Sequence, residues 1–255
     1  MKEMNIPNFP MWLCCVPLVL MTCSLSGGSS SDDVGYFWHV TDFHVDREYS
    51  AKGSTDLSCH LGGNGAEDVG PYGDYLCDAP ELLARSAIEA MQRIKPSVDF
   101  VLWTGDNVAH KDDVTWAEVY NQSRWLGSLL RPLTPHSPAM LVPTLGNHDW
   151  APPNAVESKN ETPYRGFLND AGFGEVLPRY ARGTFERGGY YSLQLSSNIR
   201  LVCLNTALWY SMNKGERPKL SDPQMAWLRD ELRDAQDKGQ KVFISGHVGP
   251  GYLSR

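Results

Sequence analysis

The sequence lacks an excess of basic residues. Its 255 residues include 23 Lys and Arg against 30 Asp and Glu, which gives a formal net charge of -7. A protein that binds nucleic-acid polymers irrespective of sequence needs a basic surface, so that function is not expected. A small phosphate-bearing substrate stays compatible with the charge, because bound metal ions would supply positive charge locally. Internal repeats and long linkers are also lacking, so we expect one large domain.

Long hydrophobic runs are absent as well. The longest run, Met11–Met21, is about half of the roughly twenty apolar residues that a membrane-spanning helix needs. A lysine precedes it and the small-residue stretch Ser24–Ser31 follows it, which is typical of a secretory signal peptide. We therefore expect a signal peptide over residues 1–31 and a soluble domain over residues 34–255. A retained membrane anchor is the alternative, because Glu3 weakens the positive N-terminal region.

Cysteine is sparse outside this segment. Three of the six cysteines fall in the predicted signal peptide, which leaves Cys59, Cys77 and Cys203. Cys59 and Cys77 flank a Gly-rich loop that a disulfide would stabilise by about 3 kcal/mol, and the oxidising secretory route permits one. Cys203 lies in a buried-strand pattern and is expected to be an inert core thiol. With the N-glycosylation acceptors at Asn121 and Asn160, these features predict a secreted or lysosomal glycoprotein.

The hydrophobic pattern alternates strands with helices. Strands are predicted at residues 36–40, 100–103, 140–143 and 241–245, with an antiparallel pair at 190–195 and 200–204. Helices are predicted over residues 78–95, 115–130 and 221–239. This alternation predicts a layered α/β fold.

Two of these helices have a predicted cap and a predicted buried stripe. The first is expected to open on a capping box of Asp78 and Glu81, and the last on Ser221 with Gln224. The expected stripe of the first helix is Leu83, Ala87, Ala90 and Ile94, and that of the last is Met225, Leu228, Leu232 and Ala235.

Polar residues of the metal-binding type follow four of the strands directly. The residues are Asp42 and His44 after the first strand, Asp106 and His110 after the second, Asn147, His148 and Asp149 after the third, and His247 after the last. Ligands of open α/β sheets bind outside the carboxyl ends of the strands, so these loops are expected to converge. The remaining histidines, His39, His60 and His136, are expected to be structural or solvated.

The residue types predict a pair of divalent metal ions. Asp42 and His44, two residues apart, can reach one ion, while Asn147 and His247 offer an amide oxygen and an imidazole to the other. Asp106 can bridge the two, which lie about 3.5–4 Å apart in two-metal hydrolases. Nitrogen and oxygen ligands without thiolate fit zinc, manganese or iron. Two metals sharing a water would lower its pKa and generate a nucleophile.

The catalytic role falls to the histidine beside Asn147. His148 is expected to stabilise the phosphoryl oxygens and to protonate the leaving group, in a compartment acidic enough to charge an imidazole. Asp149 is expected either to orient His148 and raise its pKa or to cap a turn.

These motifs resemble those of a known superfamily. Asp42-x-His44, Gly105-Asp106, Gly146-Asn147-His148-Asp149 and Gly246-His247 are similar to the pattern of calcineurin-like metallophosphoesterases. Within that superfamily, the segments FWHVTDFHVD, GPYGDYLCDAP, WTGDNVAH and LGNHDW resemble acid sphingomyelinase-like phosphodiesterases. The resemblance covers nearly all of the chain from Tyr36 onward.

The resemblance implies a four-layer α/β/β/α sandwich and a two-zinc site. It also implies a secreted or lysosomal glycoprotein that cleaves phosphodiester or phosphoanhydride bonds, with Cys59 paired to Cys77. His110 becomes the second candidate proton donor through its place in WTGDNVAH. The family completes its site with a later His and a Gly-His-x-His segment, whereas this sequence ends at Arg255. We therefore expect a truncated or spliced product, or an incomplete gene model, with a sandwich incomplete at its C-terminal side.

Three functions stay open at this point. The first is an active phosphodiesterase on a small phosphodiester, nucleotide or phospholipid, acting as a monomer with possible peripheral membrane contact. The second is a catalytically incompetent secreted protein that binds without turnover, because the final histidines are missing. The third, a purple acid phosphatase-type monoesterase, is disfavoured, since its tyrosinate position three residues after the bridging Asp is Ala109 here.

Overall fold

The computed structural model describes residues 19–24, 34–62, 68–137, 140–215 and 222–250. Nine strands are labelled within these residues: β1 Val19–Ser24, β2 Val34–Val40, β3 Val45–Asp46, β4 Ala79–Pro80, β5 Phe100–Trp103, β6 Leu141–Pro143, β7 Tyr191–Ser196, β8 Ile199–Cys203 and β9 Lys241–Ser245. The α-helices are α1 Glu81–Ile94, α2 Trp116–Leu130, α3 Thr162–Asn169, α4 Phe173–Val176, α5 Arg179–Gly188 and α6 Pro223–Asp237. Short 3₁₀ turns cover Thr55–Leu57, Arg131–Leu133 and Thr206–Trp209.

The first sheet has the strand order β1-β2-β5-β6. β2, β5 and β6 run parallel, with Val40 opposite Trp103 and Trp103 opposite Pro143 at their carboxyl ends. β1 adds to β2 in the antiparallel direction. The rest of the predicted signal peptide, residues 1–18 and 25–31, lies outside the described residues, so that prediction stays a prediction. No helix among the described ranges is long and apolar enough to cross a membrane.

The second sheet has the order β7-β8-β9. β7 and β8 form the predicted antiparallel pair, and β9 joins β8 in parallel. Both sheets contribute to one hydrophobic core, which includes Trp38, Val101 and Val142 of the first sheet and Leu193 and Leu201 of the second. The buried Tyr191 hydroxyl donates to the Pro143 carbonyl at 2.6 Å and so ties the two sheets together. Two facing sheets with helices confirm the predicted α/β class.

Helix α1 differs from its prediction in its start and in its buried face. It begins at Glu81, directly after Pro80, and no side chain caps it. Because a residue before proline is restricted to extended conformations, Ala79 cannot form the first helical position that an Asp78 cap requires. The predicted capping box is therefore wrong.

The buried face of α1 is rotated by one residue from the predicted stripe. The buried residues are Ala84, Ile88 and Met91, whereas the predicted Leu83, Ala87 and Ala90 are half-buried and Ile94 is 62% exposed. Both sets are apolar and both have helical spacing, so periodicity identified the helix but not its orientation.

Helix α6 is capped one residue later than predicted. Ser221 lies outside the described residues, and the Asp222 side chain accepts from the Gln224 backbone N–H at 2.9 Å. The Gln224 side chain is not part of a capping box, because it bonds the backbone of Asn205 instead. Within the predicted stripe Ala235 is buried, while Leu232 is partly exposed. Helix α2 agrees closely with its predicted range, and it opens on a capping box between Thr115 and Glu118 that was not predicted.

The three cysteines outside the predicted signal peptide behave as expected. Cys59 and Cys77 form a disulfide with their Cα atoms 5.9 Å apart, which confirms the pairing implied by the family resemblance. Cys203 is a free, buried thiol, and burial raises its pKa to about 12. It is therefore unreactive in the folded chain.

Candidate metal centre

The polar loops after β2, β5 and β6 meet at one edge of the first sheet. Backbone hydrogen bonds connect them: the Asp42 N–H donates to Gly105 O at 2.9 Å, and the His44 N–H donates to Asp106 O at 3.1 Å. Three of these polar residues have left-handed backbone, with φ of 54° at Asp42, 38° at His44 and 56° at Asp106. Such a conformation costs on the order of 1–3 kcal/mol per non-Gly residue and is concentrated at functional sites.

Two glycines allow the loops to approach each other closely. Gly105 has a φ of 94°, and a Cβ there would lie 2.2 Å from the Gly146 nitrogen. A Cβ on Gly146 would lie 2.1 Å from Asp106 Oδ1. No side chain fits at either position without moving the facing loop.

The structure brings all five predicted metal ligands together around Asp106. Asp106 Oδ2 is 3.5 Å from His44 Nε2 and 3.2 Å from His247 Nε2. Asp42 Oδ1 is 3.7 Å from His44 Nε2 on one side, and Asn147 Oδ1 is 3.1 Å from His247 Nε2 on the other. One carboxylate oxygen thus lies between two imidazoles, each of which has a further oxygen donor beside it.

Backbone carbonyls fix the orientation of both imidazoles. His44 donates its Nδ1–H to Val108 O at 2.9 Å, and His247 donates its Nδ1–H to Thr104 O at 2.8 Å. A carbonyl can only accept, so Nδ1 carries the proton in both rings and Nε2 faces Asp106. Metal-binding histidines are held in this way, with the second nitrogen donated to a carbonyl or carboxylate.

Asn154 fixes the orientation of the Asn147 amide. The Asn147 side-chain NH₂ donates to Asn154 Oδ1 at 2.9 Å, so its oxygen points toward His247. The Asn154 backbone N–H donates to Asn147 O at 2.8 Å. Sequence reasoning missed this residue, because nothing in the motif marks a position seven residues downstream.

The charges of the cluster depend on one another. Burial alone would lower the pKa of His44, but Asp42 and Asp106 raise it to about 9. The pKa of His247 is likewise raised to about 9, because Asp106 outweighs its burial. The pKa of Asp106 lies below its usual range, since His247 and His44 outweigh the effect of burial. Without metal, the protonated His44 and His247 rings therefore supply the positive charge that neutralises Asp42 and Asp106. A bound cation would supply the same charge.

The two predicted catalytic histidines lie beside this cluster. The His110 ring stacks on the His44 ring at 3.9 Å between centroids, and the His148 ring meets both edge-on. One nitrogen from each of these three rings lies within 4.8 Å of the other two. The His44 and His110 rings are stacked, however, and lone pairs in the planes of two stacked rings do not converge on one ion. The His148 Nδ1 atom is buried and has no hydrogen-bond partner within the described residues, and burial lowers the pKa of His148 to about 4.

Asp149 does not orient His148, so that prediction is wrong and the turn alternative is correct. One carboxylate oxygen accepts from the backbone N–H groups of Asp106 and Gly146, and the other accepts from the backbone and the side chain of Asn107, all at 2.8–2.9 Å. Asp149 therefore connects the loop after β5 to the loop after β6.

Asp78, predicted as a helix cap, lies in the site instead. Its carboxylate accepts the backbone N–H of His110 at 2.6 Å and the ring Nδ1–H of the same residue at 2.7 Å. Two of the other histidines make structural contacts: the His39 ring hydrogen-bonds Thr104, and the His60 ring contacts the Asp46 carboxylate. His136 is exposed.

Comparison with known proteins agrees with the resemblance drawn from the motifs. A family model described as calcineurin-like phosphoesterase matches residues 35–255. The chain is 35% identical over 236 residues to acid sphingomyelinase-like phosphodiesterase 3b of Homo sapiens, which covers 89% of this chain and 51% of that protein.

Two further relatives have slightly lower sequence identity to the chain. Cyclic GMP-AMP phosphodiesterase SMPDL3A of Homo sapiens is 32% identical over 249 residues, which is 95% of this chain and 54% of the relative. Sphingomyelinase phosphodiesterase C of Dictyostelium discoideum is 33% identical over 230 residues, 86% of this chain and 50% of the relative. The chain spans about half the length of the curated relatives it matches.

Proposed function

The chain belongs to the calcineurin-like phosphoesterase family, and we propose that it hydrolyses phosphodiester bonds with the help of two bound divalent metal ions. One observation carries the proposal. Asp106 Oδ2 lies between the Nε2 atoms of His44 and His247, and both imidazoles are held by backbone carbonyls in the orientation that metal ligands adopt. A buried carboxylate between two such rings is the arrangement that a bridged pair of cations requires.

The donor set fits two ions. Asp42, His44 and Asp106 would hold the first, and Asp106, Asn147 and His247 the second. Three protein ligands per ion is the number found in catalytic zinc sites, which keep a position for water or substrate. We propose zinc, because imidazole and carboxylate without thiolate suit it, although manganese and iron accept the same donors. When bound, the ions supply a Lewis acid and a water of lowered pKa.

The chain's own residues then bind and orient the substrate. His148 has a neutral ring at pH 7, and it is proposed to hydrogen-bond a phosphoryl oxygen through its ring N–H. Because the pKa of His148 is lowered, His110 is proposed to protonate the leaving group in its place. The doubly protonated His110 ring would give up its Nε2 proton while Asp78 holds Nδ1–H. Asp106 also accepts the His148 backbone N–H at 2.7 Å, which ties the oxygen-binding ring to the bridging carboxylate.

The second candidate function is binding without turnover. The chain spans about half the length of its relatives, and by family resemblance each ion gains one more histidine from a later segment. The described residues supply three ligands per proposed ion, and binding of the ions does not by itself establish turnover. Metal content and turnover distinguish the two functions.

We also propose a substrate class, a cellular localisation and an oligomeric state. Relatives are named for cyclic GMP-AMP and for sphingomyelin, and we propose a small phosphodiester, nucleotide or phospholipid substrate rather than a nucleic-acid polymer. A secreted or lysosomal monomer, with peripheral membrane contact for a lipid substrate, is consistent with the disulfide. Asn121 and Asn160 are both exposed, as glycan attachment requires.

The test combines metal content with turnover of bis-p-nitrophenyl phosphate. We expect two zinc ions per chain, hydrolysis that a chelator stops, and recovery when zinc is returned. Asp106→Ala should abolish hydrolysis and reduce bound zinc, whereas the exposed Asp112→Ala on the same loop should change neither. Two bound ions without hydrolysis would favour the binding function, and hydrolysis retained in Asp106→Ala would overturn the bridging role.

A further inference from the structure

Asp78 makes two short contacts with a single residue. Its Oδ2 accepts the His110 backbone N–H at 2.6 Å, and its Oδ1 accepts the ring Nδ1–H at 2.7 Å. The carboxylate side chain is 12% exposed, so these contacts are shielded from water. A carboxylate that accepts both groups fixes the position of the His110 backbone and the rotation of its ring together.

The residues on either side of Asp78 fix its backbone position. Cys77 is tied by the disulfide to Cys59. The Ala79 backbone N–H donates to His44 O at 3.2 Å, and β4 pairs with β3 immediately after His44. Asp78 is therefore fixed relative to the backbone of a proposed metal ligand.

The geometry points to Asp78 as a positioning residue for the reaction, acting through His110. This inference rests on the proposed function. With Nδ1–H held by Asp78, the His110 ring stacks on the His44 ring with 22° between their planes, and its centroid is 4.4 Å from that of His148. Nε2 is then on the edge of the ring opposite Asp78. Asp78, directly after the disulfide-bonded Cys77, thus orients a proposed proton donor at the proposed metal centre from outside the four ligand loops.

A purely structural role is the competing explanation. Asp78 could tie the disulfide loop to the chain without effect on the reaction, as Asp74 does locally when it accepts the Leu76 N–H at 2.9 Å. The two roles differ in one respect. A positioning residue loses its effect on turnover when His110 is already replaced, and a structural residue does not.

The experiment is a double-mutant cycle on the full chain with zinc. Asp78→Asn, His110→Gln and the double variant are compared for kcat and KM on bis-p-nitrophenyl phosphate, with melting temperature and zinc content as checks. Loss of an outer-shell partner typically costs about 10- to 100-fold in activity. We expect a fall of that size in kcat for Asp78→Asn, little change in KM, and no further fall in the His110→Gln background. The control Asp74→Asn should keep the wild-type kcat.

An equal fall in both backgrounds, or the same fall in Asp74→Asn, overturns the inference. A second measurement does not depend on turnover. Nitrogen-15 spectra of histidine-labelled chain should show His110 protonated at Nδ1, and Asp78→Asn should change that pattern while His44 keeps its own. A His110 ring protonated only at Nε2 in the wild type overturns the inference even if the chain is active. If the wild type shows no hydrolysis with any metal, the proposed function fails, and the spectra still decide whether Asp78 holds His110.

Discussion

Replacing Asp149 with asparagine should destabilise the chain by about 2–6 kcal/mol, because two buried N–H donors lose their acceptor. Four N–H groups donate to the two oxygens of Asp149, and the side chain is fully buried. An asparagine keeps one oxygen and places an NH₂ group against two of these donors. Each buried donor left without an acceptor costs about 1–3 kcal/mol. Asp149→Ala removes all four acceptor contacts and should cost more than the asparagine variant.

Urea unfolding of the metal-free chain measures this loss as a shift of the midpoint at an unchanged slope. Asp113→Asn is the matched control, because Asp113 is exposed and surface substitutions usually stay within about 0.5 kcal/mol. Zinc affinity should fall together with stability, since the same contacts hold Asp106 and the residue before Asn147. A loss below about 1 kcal/mol for Asp149→Asn refutes the reasoning, because it would mean that water or a backbone shift satisfies the buried donors.

Three further predictions follow from backbone, disulfide and charge. Gly105→Ala should cost about 2 kcal/mol or more in urea unfolding, because its Cβ would meet the facing loop at 2.2 Å; a neutral effect would show that the loops separate easily. Replacing Cys59 and Cys77 together with serine should lower the free energy of unfolding by about 3 kcal/mol, and an unchanged melting temperature would contradict that. Zinc binding at pH 7 should release about two protons, measured by calorimetry in buffers of different ionisation enthalpy, because the pKa values of His44 and His247 are raised to about 9. If the released protons come from His44 and His247, proton release on zinc binding should decline above pH 9, and release that stays constant there would exclude these histidines as the source. In the metal-free chain the same raised pKa values stabilise the fold fully below about pH 6.5, and this contribution is lost as the pH rises through about 9.

The convergence of the proposed metal ligands could be predicted because most of the strands that carry them are parallel neighbours. β2, β5 and β6 lie side by side, so the residues after their carboxyl ends, including Asp42, Asp106 and Asn147, had to meet. His247 reached the same place by a different route. Its strand, β9, belongs to the second sheet, and it joins the cluster because the two sheets share one core.

What the sequence left undecided depends on contacts between distant segments. The segment Asp78-Ala79-Pro80-Glu81 has the spacing of a capping box, and only the proline argues against it. That Asp78 binds His110, 32 residues away, has no local signal. Helices α3 to α5 were not predicted either, because the segment between β6 and β7 combines turn residues with scattered aromatics that pack only against the finished core.

The left-handed backbone at Asp42, His44 and Asp106 has a consequence for variant libraries. At these positions a substituted residue must first be able to adopt the left-handed conformation. β-Branched residues strongly disfavour this conformation, whereas Gly, Asn and Asp tolerate it. A saturation screen scored by expression alone would therefore enrich glycine and asparagine and discard valine and isoleucine, whether or not the protein does any chemistry. Only a comparison among tolerated substitutions, such as aspartate against asparagine at position 106, separates the demands of the fold from those of the proposed metal site.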